Sequence, residues 1–154
     1  MEILLGSVRP EETFEIAESL GRQLHGGEII CLYGDLGAGK TVFAKGLGKG
    51  LGIDEEITSP TFTLIQEYNS LLRDNLRLIH MDLYRLKHPE EAETIGVFDY
   101  FQDDCVCLIE WPELIVDSIP AERLDITIVG SGDQPRRITF KTNVQHITKA
   151  MELL

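Results

Sequence analysis

The sequence predicts an α/β fold, a mixed and mostly parallel central sheet flanked by helices. Three observations point there. Two nearly continuous apolar runs, Glu28 to Tyr33 and Cys105 to Ile109, have the unalternating hydrophobicity of strands buried on both faces. Helical patterns lie between them. Shorter strand-like segments in the middle and at the end of the chain indicate that part of the sheet is antiparallel. The 154 residues are expected to form one domain over 1–154. A domain of that size buries about 70% of the surface its unfolded chain exposes.

Each element has a local reason. Residues 2–6 read as a short first strand. Pro10-Glu11-Glu12-Thr13 opens a helix to about Leu24, with Phe14, Ile16, Ala17, Leu20 and Leu24 near helical spacing. Proline and early glutamates suit the first turn, where the dipole favours negative charge. Gly26-Gly27 ends that helix, the strand Glu28 to Tyr33 follows, and after a glycine-rich turn a helix runs from Lys40 to about Leu51. Thr58-Ser59-Pro60-Thr61 is a polar loop punctuated by proline. Phe62 to Tyr68 and Leu76 to Met81 are expected strands, joined by a polar connection. Pro89-Glu90-Glu91-Ala92-Glu93 begins a short acidic helix, and Cys105 to Ile109 runs into Glu110-Trp111-Pro112. Leu124 to Val129 and Arg137 to Lys141 are the last two strands, around a turn over 130–135, and the tail reads as helical.

Against 14 basic residues stand 26 acidic ones, a formal charge of -12. Such a surface repels phosphodiester backbones and argues against tight, independent nucleic-acid binding. It suits solubility or a basic protein partner. Arg136-Arg137 is either a local spot that touches a phosphate or a solvated turn. Cys31, Cys105 and Cys107 sit in apolar, strand-like runs and read as small buried hydrophobes. No redox Cys-x-x-Cys or zinc spacing is present, and an odd count of unpaired thiols fits a reducing compartment. No apolar run is long enough to span a bilayer, and the first residues lack a secretory apolar region. A cytoplasmic protein without a membrane partner is expected.

Gly34-Asp35-Leu36-Gly37-Ala38-Gly39-Lys40-Thr41 matches the P-loop (Walker A) pattern in full. Glycines let the backbone curl so that successive N–H groups point at phosphate oxygens, and the following helix adds its positive end. Lys40 can reach the β and γ phosphates, and Thr41 offers its hydroxyl to Mg²⁺. Chance would produce the pattern in a chain this long on the order of one time in a hundred. The strand before it and the helix after it are the context the motif requires. A P-loop NTPase is therefore expected, with ATP and Mg²⁺ as its ligands. Its cradle would be Asp35, Leu36, Gly37, Ala38, Gly39, Lys40 and Thr41.

Such a site needs a carboxylate at the end of a neighbouring strand. Glu110 ends one buried strand and Asp82 another. Glu110 is the better candidate for the metal, with Asp82 orienting the attacking water or the metal's water shell. Lys40, Asp82 and Glu110 form the candidate catalytic set. His80 reads as a strand residue and not a catalyst, while Trp111 either lines the nucleotide pocket or caps the core. The guanine-reading Asn-Lys-x-Asp pattern is missing, Asn143-Val144-Gln145-His146 being the nearest fragment, which favours ATP over GTP. An ATPase, a small-molecule kinase and a non-catalytic nucleotide switch all share this cradle. Scattered arginines, with only Arg136-Arg137 adjacent, weigh against the arginine-rich lid of a kinase.

The P-loop, Thr58-Ser59-Pro60-Thr61-Phe62, His80-Met81-Asp82-Leu83-Tyr84-Arg85 and Ile109-Glu110-Trp111-Pro112 occur in one order. In this the chain resembles the bacterial tRNA threonylcarbamoyladenosine biosynthesis ATPases, the TsaE (YjeE) family, over nearly its whole length. The resemblance implies an ATPase required for the threonylcarbamoyl group on the adenosine beside the tRNA anticodon. It implies two paralogous protein partners, a complex that ATP hydrolysis resets between turnovers, and contact with tRNA only through those partners. It further implies that Thr41 and Glu110 carry Mg²⁺ and that Thr13 sits near the adenine. Ser59-Pro60-Thr61 and His80-Met81-Asp82 would be nucleotide-sensing switch loops. No arginine finger is assigned, so turnover is expected to be slow alone and stimulated by a partner.

Overall fold

A computed structural model describes residues 1–154, the side chain of Ser7 excepted. Its centre is β2 (Ile29–Tyr33), flanked on both sides by parallel strands, β5 (Cys105–Glu110) and β6 (Leu124–Val129). β4 (Arg77–Asp82) lies parallel beyond β5, and β3 (Ile65–Asn69) closes that edge antiparallel. On the other side β7 (Arg136–Thr142) and β1 (Glu2–Val8) are each antiparallel to their neighbours, giving the order β1-β7-β6-β2-β5-β4-β3. The expected mixed sheet, parallel at its centre, is what forms. β5 is buried at all six positions, as a strand covered on both faces must be.

Alternate residues of the parallel strands feed two cores. Ile30, Leu32, Leu78, Val106 and Leu108 pack under α1 (Pro10–Gln23), α2 (Lys40–Leu51) and α4 (Gln145–Met151). Ile29, Cys31, Ile79, Met81 and Cys107 face the other way, toward α3 (Pro89–Thr94) and short 3₁₀ turns. All three cysteines are free and buried, as their apolar contexts suggested. Helices α1 and α2 pack backbone to backbone, where a Cβ on Gly46 would stand 2.3 Å from the Phe14 carbonyl and one on Gly50 2.2 Å from that of Glu18. That close approach brings the start of α1 alongside the start of α2. Arg73 sutures the far ends, donating to the carbonyls of Leu24, Gly21, Arg22 and Gly50.

At the N-terminal end of β2 sits Glu28, 3% exposed. Its carboxylate accepts from the His25 amide at 2.8 Å and the Gly26 amide at 2.7 Å, and His146 Nε2 of α4 lies 2.8 Å away. The terminal helix is thereby tied to the turn between α1 and β2.

Three local expectations are corrected. His80-Met81-Asp82, which the resemblance implies to be a loop, is the buried end of β4. The strand expected from Phe62 begins only at Ile65. After Pro60 the chain makes a turn in which the Leu64 amide donates to the Pro60 carbonyl at 2.7 Å, and Leu64 takes a φ of 68°. Phe62 is left 80% exposed. Nor is Arg136-Arg137 a solvated turn: both residues belong to β7, whose alternation exposes Arg137 and buries Arg136. No helix is long and apolar enough to cross a membrane, among the described residues.

Candidate functional site

The C-terminal ends of β2, β5 and β4 converge because the three strands are parallel and in register. Leu32 pairs with Glu110, and Glu110 in turn with Asp82. β2 continues through Gly34 into the glycine-rich turn, and Gly39 caps α2 with a φ of 109°. That left-handed conformation is strained for any residue carrying a Cβ. The turn is closed by a hydrogen bond from the Ala38 amide to the Asp35 carbonyl at 3.1 Å.

Around these ends lies a cavity of about 350 Å³. Leu36, Gly37, Gly39, Lys40 and Thr41 form one wall, Thr13 with Pro10 a second, and Ser59, Thr61, Asp82, Glu110 and Trp111 the rest. Arg136 also reaches it. Two of the expected cradle residues, Asp35 and Ala38, are not on this wall. Asp35 borders a neighbouring hollow with Gly34, Trp111 and Glu113, and the Ala38 methyl is packed in the core. What they offer the cavity is backbone geometry.

The electrostatics of the cavity are unusual in one respect. Among the described residues, three buried side-chain polar atoms have no hydrogen-bond partner: Lys40 Nζ, Thr13 Oγ1 and His80 Nδ1. Two line the cavity and the third belongs to a residue touching its wall. Buried polar atoms are almost always paired, so two orphans in one cavity are a signal. Lys40 is 6% exposed, and its ammonium rests 3.9 Å from the centroid of the Trp111 ring. Burial pulls its pKa below that of an ordinary lysine, while Glu110 and Asp82 pull the other way. Trp111 holds a φ of 55° at the turn after β5, and its ring packs against Tyr84 at 4.9 Å. Trp111 therefore lines the cavity; it does not cap the core.

The two acids are held differently. Asp82 accepts from the Tyr84 amide at 3.0 Å and from the Thr61 hydroxyl at 3.3 Å, which links the Ser-Pro-Thr loop to the end of β4. Glu110 lies 2.5 Å from His80 Nε2. From its sequence His80 reads as a strand residue and not a catalyst. It is a strand residue, yet it is wholly buried and aimed at Glu110. Its partner is 30 positions away on the next strand, and no local signal marks it.

These residues fit a nucleoside triphosphate with magnesium. A Cβ at Gly37 or Gly39 would meet nothing within 4 Å, and both glycines line the cavity, so the backbone there is open to a ligand. An orphan ammonium at the start of α2 is what an incoming polyphosphate would satisfy. Hard oxygen donors, the Thr41 hydroxyl and two carboxylates, suit Mg²⁺. Among the described residues no three His, Cys, Asp or Glu side chains gather as a protein-only metal site. Magnesium held by one or two carboxylates plus substrate phosphates needs no such cage.

Similarity to known proteins points to one family. The family model described as Threonylcarbamoyl adenosine biosynthesis protein TsaE matches residues 7–138. The tRNA threonylcarbamoyladenosine biosynthesis protein TsaE of Bacillus subtilis (strain 168) is 48% identical over 134 residues, spanning 87% of this chain and 82% of that one. The protein of the same name from Treponema pallidum (strain Nichols) is 42% identical over 129 residues, spanning 84% and 93%. A crystal structure of YdiB from Bacillus subtilis superposes with a TM-score of 0.80 at 39% identity, over 99% of this chain and 93% of that one.

Proposed function

The chain belongs to the TsaE family, and on that premise we propose that it is a magnesium-dependent ATPase. It serves formation of the threonylcarbamoyl group on the adenosine next to the anticodon of tRNAs. One observation carries the reading: the buried, unpartnered Lys40 ammonium at the mouth of α2, facing Asp82 and Glu110 across one cavity.

Each residue has a role in that scheme. The amides at the start of α2 and the Lys40 ammonium bind the phosphates and neutralise charge on the transferring phosphoryl group. Thr41 and Glu110 would hold Mg²⁺, which when bound supplies charge neutralisation and alignment of the β and γ phosphates. Asp82, tied to the Thr61 loop, orients the attacking water. Thr13, whose hydroxyl is unpartnered at the α1 side of the cavity, meets the adenine. Catalysis is positioning and electrostatics, with no covalent step on the protein.

Two features support slow turnover alone and completion by a partner. Among the described residues Arg136 is the one arginine bordering the cavity, and its guanidinium is occupied by backbone carbonyls. Arg85 lies outside, stacked 4.3 Å from the exposed Phe62 ring. The charge of -12 favours protein partners over direct contact with tRNA. Those partners are two paralogous subunits of the threonylcarbamoyl-transferring complex, which ATP hydrolysis resets between turnovers in the cytoplasm.

Phosphate release by the purified chain, with and without that complex and its tRNA, tests the scheme. The expected result is slow basal release, stimulation by the complex, and loss of both with Lys40→Ala. Phosphate appearing on an acceptor would instead mean a kinase. Release no faster with partners than background would mean a switch.

A further inference from the structure

Arg136 is 5% exposed and opens β7. Its guanidinium donates only to backbone: Nε to the Ala38 carbonyl at 2.9 Å, Nη2 to those of Gly37 at 3.4 Å and Gly132 at 3.1 Å, and Nη1 to that of Gln134. Among the described residues it takes part in no ion pair.

Where this cation sits is the telling part. Arg73 also binds four carbonyls, but at the C-terminal ends of α1 and α2, where the helix dipoles favour positive charge. Arg136 grips the turn that leads into the N-terminal end of α2, where positive charge is disfavoured unless an anion arrives. A buried guanidinium with its donors satisfied and its charge unpaired is a poor device for folding alone. It suits a site that will receive several negative charges.

The bonding has a geometric consequence as well. In a trans peptide the C=O and the following N–H point in opposite directions. A guanidinium holding the Ala38 carbonyl on the β7 side turns the Gly39 amide away from it, and Gly39 lines the cavity.

We propose that Arg136 is a positioning residue for phosphate recognition: its fork locks the Gly37 and Ala38 carbonyls outward so that the Gly39 amide faces the phosphates. Its charge adds to that of Lys40. This rests on the nucleotide reading above, and it couples the turn between β6 and β7 to the cradle.

The test compares a ligand that carries phosphates with one that does not. ADP with magnesium is titrated by calorimetry and adenosine by NMR, against the wild type, Arg136→Met and Arg136→Lys. Thermal unfolding without ligand serves as the fold control. Arg136→Met should weaken ADP by about 10- to 100-fold and leave adenosine within about twofold. Arg136→Lys keeps the charge but loses the fork, and should recover only part of the ADP affinity. A defect confined to packing would weaken both ligands together, and that result would overturn the proposal. So would unchanged ADP affinity in a folded Arg136→Met chain. Should that variant not fold, Arg136→Lys decides by the same criteria. A wild-type chain that binds no ADP would overturn the nucleotide reading itself, before any variant is made.

Discussion

At the N-terminal end of β2 the carboxylate of Glu28 is buried and fully bonded, to two amides and to His146 of the last helix. At the C-terminal end of the same strand, the equally buried ammonium of Lys40 has no hydrogen-bond partner. One strand thus carries a buried charge past each of its ends, one completed by the fold and one left open. Satisfying a buried group stabilises the folded chain, whereas an unsatisfied one costs free energy until something external arrives. The difference separates structural from functional charge without reference to any relative.

Substitutions at the two ends should therefore fail in opposite ways. The largest effect is expected for Lys40→Met. ADP affinity should fall by about 10³-fold, roughly 4 kcal/mol, while thermal unfolding without nucleotide stays unchanged or moves upward, since a buried ammonium without a hydrogen-bond partner is removed. A lowered melting point together with retained ADP binding would erase the contrast. Glu28→Ala is the mirror image. It strands two amides and frees α4, and should cost about 3 kcal/mol in a denaturant melt with ADP affinity of the folded chain unaltered.

His80 sharpens the comparison because it is buried like Glu28 but only half satisfied, one ring nitrogen against Glu110 and the other without a partner. His80→Leu should lower kcat about tenfold and leave ADP affinity within about threefold. His80→Gln, which restores a donor to Glu110, should recover most of the rate. Equal losses in both variants would reduce His80 to packing.

The smallest effect concerns a residue midway between the ends. Burial, with Asp125 adding to it, pushes the Cys31 thiol from 9.0 up to about 12. A thiol whose folded value is raised contributes stability that is intact below pH 9.0 and is lost as pH climbs toward 12. Cys31→Ala should thus show a shallower loss of stability between those limits. A limb of identical slope would rule that contribution out.

How legible all this was depended on distance along the chain. The P-loop pattern is eight consecutive residues, and its spacing alone suggested the chemistry proposed for it. Asp82 and Glu110 were visible as acids ending apolar strands, and parallel register did bring them side by side. Phe62 was misread because Phe62 to Tyr68 looks strand-like locally, while the Pro60 turn and the pairing of Ile65 with Met81 decide where the strand begins. Arg136 and His80 were opaque for a different reason. Arg136 reaches Ala38 across 98 positions and His80 reaches Glu110 across 30, and nothing in either neighbourhood encodes that meeting. The antiparallel pairing of β1 with β7, Glu2 against Lys141, joins the two ends of the chain and was equally beyond local pattern.

Trp111 is the chain's single tryptophan, and the Lys40 ammonium lies against its ring. Every indole photon this protein emits therefore originates at the wall of the cavity. On the nucleotide reading proposed above, Lys40 leaves that ring for a phosphate and the surroundings of the fluorophore change, which would give the molecule an optical gauge of its own occupancy that no dye has to supply.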